Sequence, residues 1–331
     1  MINFWKNKRI LITGVHGFVG SNLCKSLVKK GAEVYGLYKN NSSNSLLTIE
    51  NINNFNKISF INNKAYFLND LINDKEIEIC FHLAAQVEVM KAMEHPFESF
   101  KNNFDLTLLL MESFRKSKSI RCIINSSTDK VYGDIDEKML PYKENYTPIP
   151  KYPYEVSKYC AELVANSYHQ NYNLPLITTR TANLYGPGQM NFSAIIPYSI
   201  KCGLNLEEFI PRSNGKLKRD YLFIEDWINI LESLVIKSYE DKKILGELFN
   251  FGTNKPLDVI SVVTKIYKNL NNSKINKILG EFSKMQNKNE ILYQYLDSSK
   301  GIEKLNISKL TEFDIGIIKS IDWYKNIFFK K

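Results

Sequence analysis

A tyrosine and a lysine four positions apart, Tyr154 and Lys158, form the first pair whose types and spacing allow chemistry. Residues four apart share one face of a helix, so the lysine ammonium can lie near the phenol. A nearby positive charge favours the phenolate, lowers the tyrosine pKa and makes the side chain a usable acid and base. An ordinary amphipathic helix is the alternative, and two other pairs share the spacing: Tyr35/Lys39 and Tyr239/Lys243.

The run Thr128-Asp129-Lys130 follows a predicted strand and precedes the Tyr154 helix. A hydroxyl at this position can hydrogen-bond a substrate oxygen, and the adjacent acid and amine can exchange protons with a substrate. This context selects Tyr154 and Lys158 over the two other pairs. The alternative for Asp129 and Lys130 is a salt bridge in a loop, because functional sites and ion pairs use the same residue types.

A glycine-rich turn, GVHGFVG at residues 14–20, stands between the first predicted strand and the first predicted helix. Glycines there let the backbone approach a pyrophosphate, and the helix N-terminus supplies N–H groups and a partial positive charge. The spacing is G-x-x-G-x-x-G, and a merely tight turn is the alternative. In an alternating strand–helix pattern the turn predicts dinucleotide binding.

The end of the second predicted strand indicates which dinucleotide binds. An acidic residue there would select NAD, but the sequence after Tyr38 has Lys39, Ser42 and Ser43 and no carboxylate. These side chains favour a 2′-phosphate, so we expect NADP rather than NAD, unless Lys39 is only solvated. Asp70-Leu71 follows the third predicted strand and is expected to meet the adenine.

Short apolar runs alternate with helical patterns through the first half of the chain. Strands are predicted over Arg9–Thr13, Glu33–Tyr38, Ala65–Leu68, Ile77–Leu83 and Arg121–Asn125, and helices over Ser21–Lys30 and Phe104–Lys116. This alternation predicts an α/β fold with a doubly wound parallel sheet covered on both faces. After residue 180 the pattern loosens, which predicts a domain over 1–180 that carries the dinucleotide turn and a smaller α/β domain over 181–331. A segment near 219–240 is expected to return to the first domain.

Composition excludes several classes of protein. The chain has 331 residues, 44% of them hydrophobic and 24% charged, as in a globular protein rather than a disordered one. Lys and Arg number 44 against 35 Asp and Glu, which permits an anionic ligand, but the charges are dispersed and form no nucleic-acid module. Five scattered cysteines and four histidines have no metal-ligand spacing and fit a reducing cytosol. No apolar run or leader predicts a membrane segment, so we expect a cytoplasmic protein.

Further motifs extend this pattern over most of the chain. They are Thr13-Gly14 to Gly20, His82 to Gln86 (HLAAQ), Asn103 after Pro96, Ser126 to Gly133 (SSTDKVYG), Pro153-Tyr154 to Lys158, Arg180 to Gly188 (RTANLYGPG), Arg219 to Asp226 (RDYLFIED) and Phe249 to Thr253 (FNFGT). This set resembles the extended short-chain dehydrogenase/reductase superfamily, in its sugar-nucleotide epimerase/dehydratase branch. The Thr-Asp-Lys run is most similar to CDP-glucose 4,6-dehydratases and some UDP-N-acetylglucosamine dehydratases.

The resemblance implies a Rossmann-like fold and a nucleotide-sugar 4,6-dehydratase. Tyr154 would take the C4 hydroxyl proton, held by Lys158 and assisted by Thr128, while Lys130 and Asp129 would serve as base and acid in the loss of water. The cofactor contacts expected are Gly14, His16, Gly17, Phe18, Val19, Gly20, Lys39, Asp70, Leu71, Leu83, Ala84, Ala85, Gln86, Asn103, Tyr154 and Lys158. A C4 epimerase is the alternative enzyme, and a non-catalytic NAD(P)-binding protein is the alternative class.

The second domain is expected to hold the nucleotide diphosphate. The resemblance places Asn183, Asn191 and Arg219 there, and Arg212 lies just upstream of Arg219; arginine suits bidentate phosphate recognition. Arg212 has a surface charge as its alternative. Relatives form dimers through a four-helix bundle, and the apolar stretch Phe104–Phe114 predicts a homodimer here.

Overall fold

The structure is a computed structural model and describes residues 2–39, 44–59, 65–286 and 291–329. Its strands are β1 (Arg9–Thr13), β2 (Glu33–Tyr38), β3 (Asn56–Ser59), β4 (Ile79–His82), β5 (Cys122–Ser126), β6 (Leu176–Thr181), β7 (Asn183–Tyr185), β8 (Lys218–Arg219), β9 (Tyr221–Phe223), β10 (Leu248–Phe251), β11 (Leu257–Asp258) and β12 (Tyr293–Gln294). Within these ranges, no helix combines the length and the hydropathy that crossing a membrane requires.

The helices are α1 (Ile2–Trp5), α2 (Phe18–Lys29), α3 (Leu46–Ile49), α4 (Ala65–Asp74), α5 (Val89–Glu94), α6 (Pro96–Phe100), α7 (Leu106–Arg115), α8 (Pro153–Tyr172), α9 (Ile195–Gly203), α10 (Ile224–Glu240), α11 (Val259–Asn269), α12 (Ile275–Ser283), α13 (Ser299–Lys304) and α14 (Phe313–Phe329). A π-helical turn at Lys101–Asp105 precedes α7, and a 3₁₀ turn at Asp129–Tyr132 follows β5.

A seven-stranded sheet in the order β10-β6-β5-β4-β1-β2-β3 forms the centre of the fold. Its six strands from β1 to β6 pair in parallel, and β1 lies between β2 and β4, with Ile12 opposite Gly36 and Phe81. The strands β1, β4 and β5 are continuous apolar runs because both faces of a parallel sheet are buried. The predicted α/β fold with a parallel, Rossmann-like sheet is confirmed.

Helices α4, α7 and α8 cover one face of this sheet. Their apolar side chains, such as Leu68, Leu110 and Ala165, join Leu11 and Ile123 of the strands in one buried cluster. On helix α10, Glu232 accepts a hydrogen bond from Ser26 of α2 at 2.7 Å and pairs with Lys30 at its end. Packing of these helices on the sheet therefore fixes the positions of the carboxyl ends of its strands.

Contacts within the chain define two compact units. The first unit comprises Met1–Gly133, Glu144–Thr181 and Ile228–Asn250, and the second comprises Asp134–Lys143, Ala182–Trp227 and Phe251–Lys331. The second unit contains a three-stranded sheet, β11-β8-β12, and the strand pair β7-β9.

The third strand lies elsewhere than the sequence predicted. Strand β3 is Asn56–Ser59, whereas Ala65–Leu68, predicted as a strand, belongs to helix α4. Asp70 is exposed on α4, and Leu71 packs on the apolar cluster, so neither follows a strand. The prediction that this pair meets the adenine rested on a strand before it, and that strand was wrong. An apolar run of four residues fits a helix as well as a strand. Ser42 and Ser43 lie outside the described residues.

Candidate active site

Helix α8 places Tyr154 and Lys158 on one buried face. It begins at Pro153, a residue suited to the first turn of a helix. The Glu155 carboxylate accepts hydrogen bonds from the backbone N–H groups of Lys151 and Tyr152, at 2.9 and 3.1 Å, and so satisfies donors that the helix leaves free. Both functional side chains are more than nine-tenths buried. The helix start is therefore fixed one residue before the phenol.

Burial controls the protonation of Tyr154. Loss of solvent raises the pKa of its phenol, and the charge of Asp129 acts in the same direction, while the hydrogen bond with Thr128 opposes them. The sequence-based expectation that Lys158 lowers this pKa is wrong in this structure, because desolvation of the phenolate is the largest influence on the pKa and raises it. The phenol is therefore protonated at neutral pH.

Lys158 is held by the end of strand β5. Its Nζ donates a hydrogen bond of 2.7 Å to the backbone carbonyl of Ser126. Burial lowers the pKa of the lysine to about 8, and the negative charge of Glu162, one helical turn further on, raises it in part. The ammonium group is thus fixed in position, and its pKa lies closer to neutral pH than that of a solvated lysine.

The turn after β5 holds Thr128, Asp129 and Lys130 together. The Thr128 hydroxyl oxygen accepts from the Lys130 backbone N–H at 3.3 Å and caps the 3₁₀ turn, and its hydrogen points to Asp129 Oδ1 at 3.2 Å. Lys130 Nζ lies 3.4 Å from the same oxygen, so the ion pair that sequence offered as an alternative is formed. Asp129 is completely buried, and no residue that the structure describes hydrogen-bonds its Oδ2. The turn therefore places a buried carboxyl group with one unbonded oxygen beside a lysine.

Asn103 lies in the π-helical turn and joins three parts of the site. Its Oδ1 accepts from the Gln86 backbone N–H at 2.7 Å, and its Nδ2 donates to the Gln86 carbonyl at 3.2 Å and to Ser157 Oγ at 2.9 Å. The Ser157 hydroxyl in turn donates to the carbonyl of Tyr154. Asn103 therefore fixes the backbone after β4 relative to the helix that carries Tyr154.

His82, at the end of β4, is fixed as a neutral side chain. Its Nε2 lies 2.8 Å from the Thr107 hydroxyl, which itself donates to the Asn103 carbonyl, so Nε2 carries the hydrogen. Its Nδ1 accepts from Thr13 at 2.9 Å, and the Thr13 oxygen accepts from the backbone N–H groups of residues 83 and 84. Burial and the charge of Lys158 lower the pKa of His82 to about 3.

The glycine-rich turn has the shape that a pyrophosphate requires. Gly14 has a φ of +71°, and a Cβ there would lie 2.9 Å from Ala84 Cα. A Cβ on Gly20 would lie 2.3 Å from the Gly14 carbonyl oxygen, so α2 packs directly on the turn. Gly17 caps α2 without a side-chain hydrogen bond, which leaves the first N–H groups of the helix for an anion. These residues fit a dinucleotide.

Residues around this turn complete the predicted cofactor set. The His16 ring meets Tyr38 edge to face at 4.9 Å, and Lys39, which is exposed, donates from Nζ to Asn102 Oδ1 at 2.9 Å. The other members of the set in this region are Phe18 and Val19 at the start of α2 and Leu83, Ala84, Ala85 and Gln86 after β4. The structure brings all of these to the carboxyl ends of β1, β2 and β4.

The four predicted substrate contacts all lie in the second unit. Asn191 Oδ1 accepts from the Ser193 hydroxyl at 2.6 Å, and the Ser193 carbonyl accepts from Arg212 Nη1 at 2.8 Å. Asn183 Nδ2 donates to the carbonyl of Asp220, and Arg219 precedes that residue on β8. Arg212 is exposed, whereas Arg219 is half-buried and its Nη1 donates to the carbonyls of Lys218 and Leu292, at 2.9 and 3.4 Å.

Comparison with known proteins places these features in a family. The family model described as GDP-mannose 4,6 dehydratase matches residues 11–319. The chain belongs to the GDP-mannose 4,6-dehydratase family. The resemblance to the sugar-nucleotide epimerase/dehydratase branch of the extended short-chain dehydrogenase/reductases is thereby confirmed.

Curated relatives and solved structures extend over nearly the whole chain of this family member. It is 32% identical over 96% of its length to a trifunctional UDP-glucose 4,6-dehydratase/UDP-4-keto-6-deoxy-D-glucose 3,5-epimerase/UDP-4-keto-L-rhamnose-reductase of Arabidopsis thaliana, of which it covers 47%. It is 26% identical over 97% of its length to dTDP-D-glucose 4,6-dehydratase of Mus musculus and covers 90% of it.

A solved structure of UDP-glucuronic acid 4-epimerase from Bacillus cereus, in complex with UDP-glucuronic acid and NAD, is also similar. It is 26% identical, with a TM-score of 0.78, and the match covers 97% of this chain and all of that one. The chain spans about half the length of the Arabidopsis relatives that it matches. Both dehydratases and epimerases thus share this architecture.

Sequence patterns did not identify three buried residues of this dehydratase-family chain that belong to the site. They are Tyr132, Glu162 and Arg180. One signal was available: Arg180 is a charged residue within LITTRT, an otherwise uncharged and strand-like run, where a charge requires a partner. Its partners come from distant parts of the sequence, so the spacing of residues does not identify them.

Proposed function

We propose that the protein is a nucleotide-sugar 4,6-dehydratase that forms a 4-keto-6-deoxyhexose bound to its nucleotide diphosphate. The observation that carries this proposal is the Thr128-Asp129-Lys130 turn, in which a fully buried carboxyl group keeps one oxygen without a partner. Loss of water needs one group that removes the C5 proton and one that protonates the departing oxygen. Family membership and the dehydratase relatives support the same reading.

The residues of the first unit divide this chemistry among them. When bound, the nicotinamide cofactor supplies removal of a hydride from C4 and its return to C6, so it is regenerated in each turnover. Tyr154 receives the C4 hydroxyl proton as the phenolate, and its deprotonation is the step that burial opposes. Lys158 and Thr128 hold the phenol and stabilise its anion.

The elimination then involves Lys130 and Asp129. Lys130, as the free amine, takes the proton from C5, and Asp129, as the carboxylic acid, gives its proton to the C6 oxygen. The C5–H and C6–O bonds break, the C5–C6 double bond forms and water leaves. Lys130 returns its proton to C5 when C6 is reduced. After turnover Tyr154 holds the proton from the C4 hydroxyl and Asp129 lacks one, and the Thr128 hydroxyl, which bonds Tyr154 and lies 3.2 Å from Asp129 Oδ1, provides the path that returns this proton to Asp129.

For the cofactor, we propose a nicotinamide dinucleotide on the glycine-rich turn, with NADP preferred over NAD. The fit of Gly14, Gly17 and Gly20 supports the dinucleotide, and the similar Bacillus cereus epimerase is a complex with NAD. The NADP preference rests on Lys39 and on the lack of a carboxylate after β2. Titration with NAD⁺ and NADP⁺ tests it: Lys39→Ala should weaken NADP⁺ binding selectively. Tighter NAD⁺ binding that is unchanged in Lys39→Ala would contradict the preference.

For the substrate, we propose that the first unit binds the cofactor and the second binds the nucleotide diphosphate. Arg212 and Arg219, with Asn183 and Asn191, supply cationic and amide donors of the kind that phosphate oxygens accept. Arg219→Ala should raise the KM for the nucleotide sugar more than it lowers kcat. Equal KM values for variant and wild type would remove this residue from the substrate site.

The decisive experiment is incubation of the purified protein with CDP-, dTDP-, UDP- and GDP-hexoses, followed by mass spectrometry. A product lighter by one water establishes dehydration and identifies the nucleotide. A 4-epimerase is the second candidate, which the similarity to the Bacillus cereus epimerase favours. An isomer of unchanged mass would establish that activity, and Asp129 and Lys130 would then be structural.

We also propose a homodimer formed through α7 and α8. Leu108 on α7 and Leu163 and Tyr172 on α8 are exposed although they are large and apolar or aromatic. Burying such side chains against a second copy is favourable. Sedimentation should give twice the chain mass of 38.4 kDa at micromolar concentration. A monomer under these conditions would contradict the proposal.

A further inference from the structure

Arg180 is a charged residue at the centre of a buried strand. It lies on β6 with 3% of its surface exposed, and its Nε donates to Glu162 Oε2 at 3.2 Å while its Nη2 donates to Oε1. Glu162 follows Tyr154 and Lys158 on α8 at successive four-residue steps, so it continues their face of the helix. Arg180 is therefore anchored to the helix that carries the proposed acid/base pair.

The same guanidinium group also contacts the turn that carries the elimination residues. Its central carbon lies 4.5 Å from the ring centroid of Tyr132, a residue of the turn that begins at Asp129. The Tyr132 hydroxyl donates to Asn250 Oδ1 at 2.8 Å, and the Asn250 backbone N–H donates to Glu144 Oε1 at 2.9 Å. Tyr132 is thus fixed at its ring face and at its hydroxyl.

The contacts with Arg180 and Asn250 add to the backbone hydrogen bonds that hold the ends of the turn. Within it, the Val131 N–H reaches the Thr128 carbonyl at 3.4 Å and the Gly133 N–H reaches the Lys130 carbonyl at 3.1 Å. Holding a buried carboxyl oxygen of Asp129 without a partner costs free energy, which favours movement of the turn away from that position.

Stability alone is a poor reason for the ion pair. A buried pair loses much of its Coulombic gain to desolvation, so apolar side chains of the same size would stabilise the core about as well. Arginine adds what apolar side chains lack, a planar group that binds a carboxylate at its edge and stacks on a ring with its face.

We propose that Arg180 is a positioning residue that fixes the Asp129–Lys130 turn relative to the Tyr154–Lys158 face of α8. This inference rests on the proposed function, because the alignment matters only if oxidation at C4 is followed by elimination across C5 and C6. Arg180 touches neither of the acid/base pairs in that scheme; it acts through Tyr132 and Glu162.

The test compares two variants with one control. Arg180→Lys keeps the charge beside Glu162 but loses the planar stack, and Tyr132→Leu removes the ring while leaving Arg180 and Glu162 in place. Arg115→Lys is the matched control, because Arg115 binds Glu112 with the same two nitrogens and lies 5.3 Å from the Tyr172 ring, but is exposed. Thermal unfolding establishes the folded fraction of each variant.

Reaction with borodeuteride after quenching, followed by mass spectrometry, separates the 4-ketohexose from the 4-keto-6-deoxyhexose. In a single turnover of Arg180→Lys and Tyr132→Leu the bound 4-ketohexose should accumulate, to no more than one molecule per bound cofactor, because C4 oxidation leaves the cofactor reduced and elimination slows on the order of 10²-fold with a misplaced acid and base. Arg115→Lys should match the wild type. If both products fall in proportion to the folded fraction, the role is structural and the inference is overturned.

Amide hydrogen exchange gives a readout that needs no turnover. Residues 129–133 should exchange faster in Arg180→Lys than in the wild type, while β1 and β4 exchange at unchanged rates. Faster exchange in Arg180→Lys supports the inference, with or without measured activity. If the wild type dehydrates no substrate, the proposed function fails and the positioning of the turn by Arg180 still stands. Unchanged exchange overturns the inference whatever the activity.

Discussion

Two completely buried carboxyl groups, one in each unit, differ in how their oxygens are used. Asp129 in the first unit has Oδ1 near Thr128 and Lys130, and its Oδ2 has no partner. Asp220 in the second unit accepts at Oδ2 from the backbone N–H groups of Thr253 and Asn254, at 2.8 and 3.0 Å, and at Oδ1 from the Thr253 hydroxyl.

The difference separates a structural carboxylate from one available for chemistry. Burial raises the pKa of Asp220, and the hydrogen bonds with residues 253 and 254 oppose that shift and favour the ionised form. Both of its oxygens accept hydrogen bonds from the loop before β11. Among the described residues, Asp129 Oδ2 has no such partners, which is why we propose Asp129 rather than Asp220 as the acid.

The largest expected effect is on catalysis. Asp129→Asn should lower the rate of dehydration on the order of 10²–10⁴-fold, because an amide cannot supply the proton for the departing C6 oxygen. Its free energy of unfolding should stay close to that of the wild type, since one oxygen had no partner to lose. Steady-state assay and urea unfolding measure the two quantities. Full activity in Asp129→Asn would show that Asp129 is not the acid and does not differ from Asp220 in this respect.

The same substitution in the second unit should have the opposite outcome. Asp220→Asn weakens charge-assisted hydrogen bonds and turns an NH₂ group toward donors, so the protein should lose about 2 kcal/mol of stability. The rate per folded molecule should remain that of the wild type. Active-site titration corrects for the folded fraction. A variant that is fully stable but inactive would show that Asp220 was misassigned.

A third buried group, Lys158, sharpens the comparison through pH. Its pKa is lowered to about 8 in the folded protein, so above that pH the unfolded chain holds a proton that the folded chain has released. Stability should therefore rise relative to Lys158→Met by about 1 kcal/mol between pH 8 and 9, before the unfolded lysine titrates near 10.4. Urea unfolding of both proteins at each pH measures the difference. Parallel pH profiles would mean that Lys158 is not desolvated.

The smallest effect is expected at an exposed carboxylate. Glu208 lies 3.1 Å from Lys277, and both side chains are largely exposed. Glu208→Gln should change stability by less than about 0.5 kcal/mol, because solvent screens such pairs. Urea unfolding provides the measurement. A loss comparable to that of Asp220→Asn would show that burial is not what distinguishes these carboxylates.

Elements with a long or distinctive pattern could be predicted from the sequence. Strands β1 and β2 and helices α2 and α7 lie within a few residues of their predicted bounds, because short apolar runs mark the buried strands and apolar positions repeat with the helical period in the helices. The glycine-rich turn was equally clear, since Gly14 and Gly20 occupy positions where a Cβ would collide with neighbouring atoms.

The errors and omissions have a common physical cause. Ala65–Leu68 was read as a strand because four apolar-rich residues carry too little periodicity, and Asp70 was misplaced with it. The pKa of Tyr154 was predicted in the wrong direction because burial depends on the whole fold rather than on its neighbour at position 158. The contacts of Arg180 with Tyr132 and Glu162 join residues 48 and 18 positions away, which local patterns do not encode.

The path of the chain through the first unit has a consequence for its synthesis. That unit is assembled from three separate stretches, and its edge strand β10 pairs with β6 from more than sixty residues further along. A nascent chain that has emerged only as far as Thr181 therefore presents β6 as an open sheet edge, which can template pairing with other chains. We expect truncations between residues 181 and 248 to aggregate, and a chaperone that shields this edge during translation to improve the yield of the full protein.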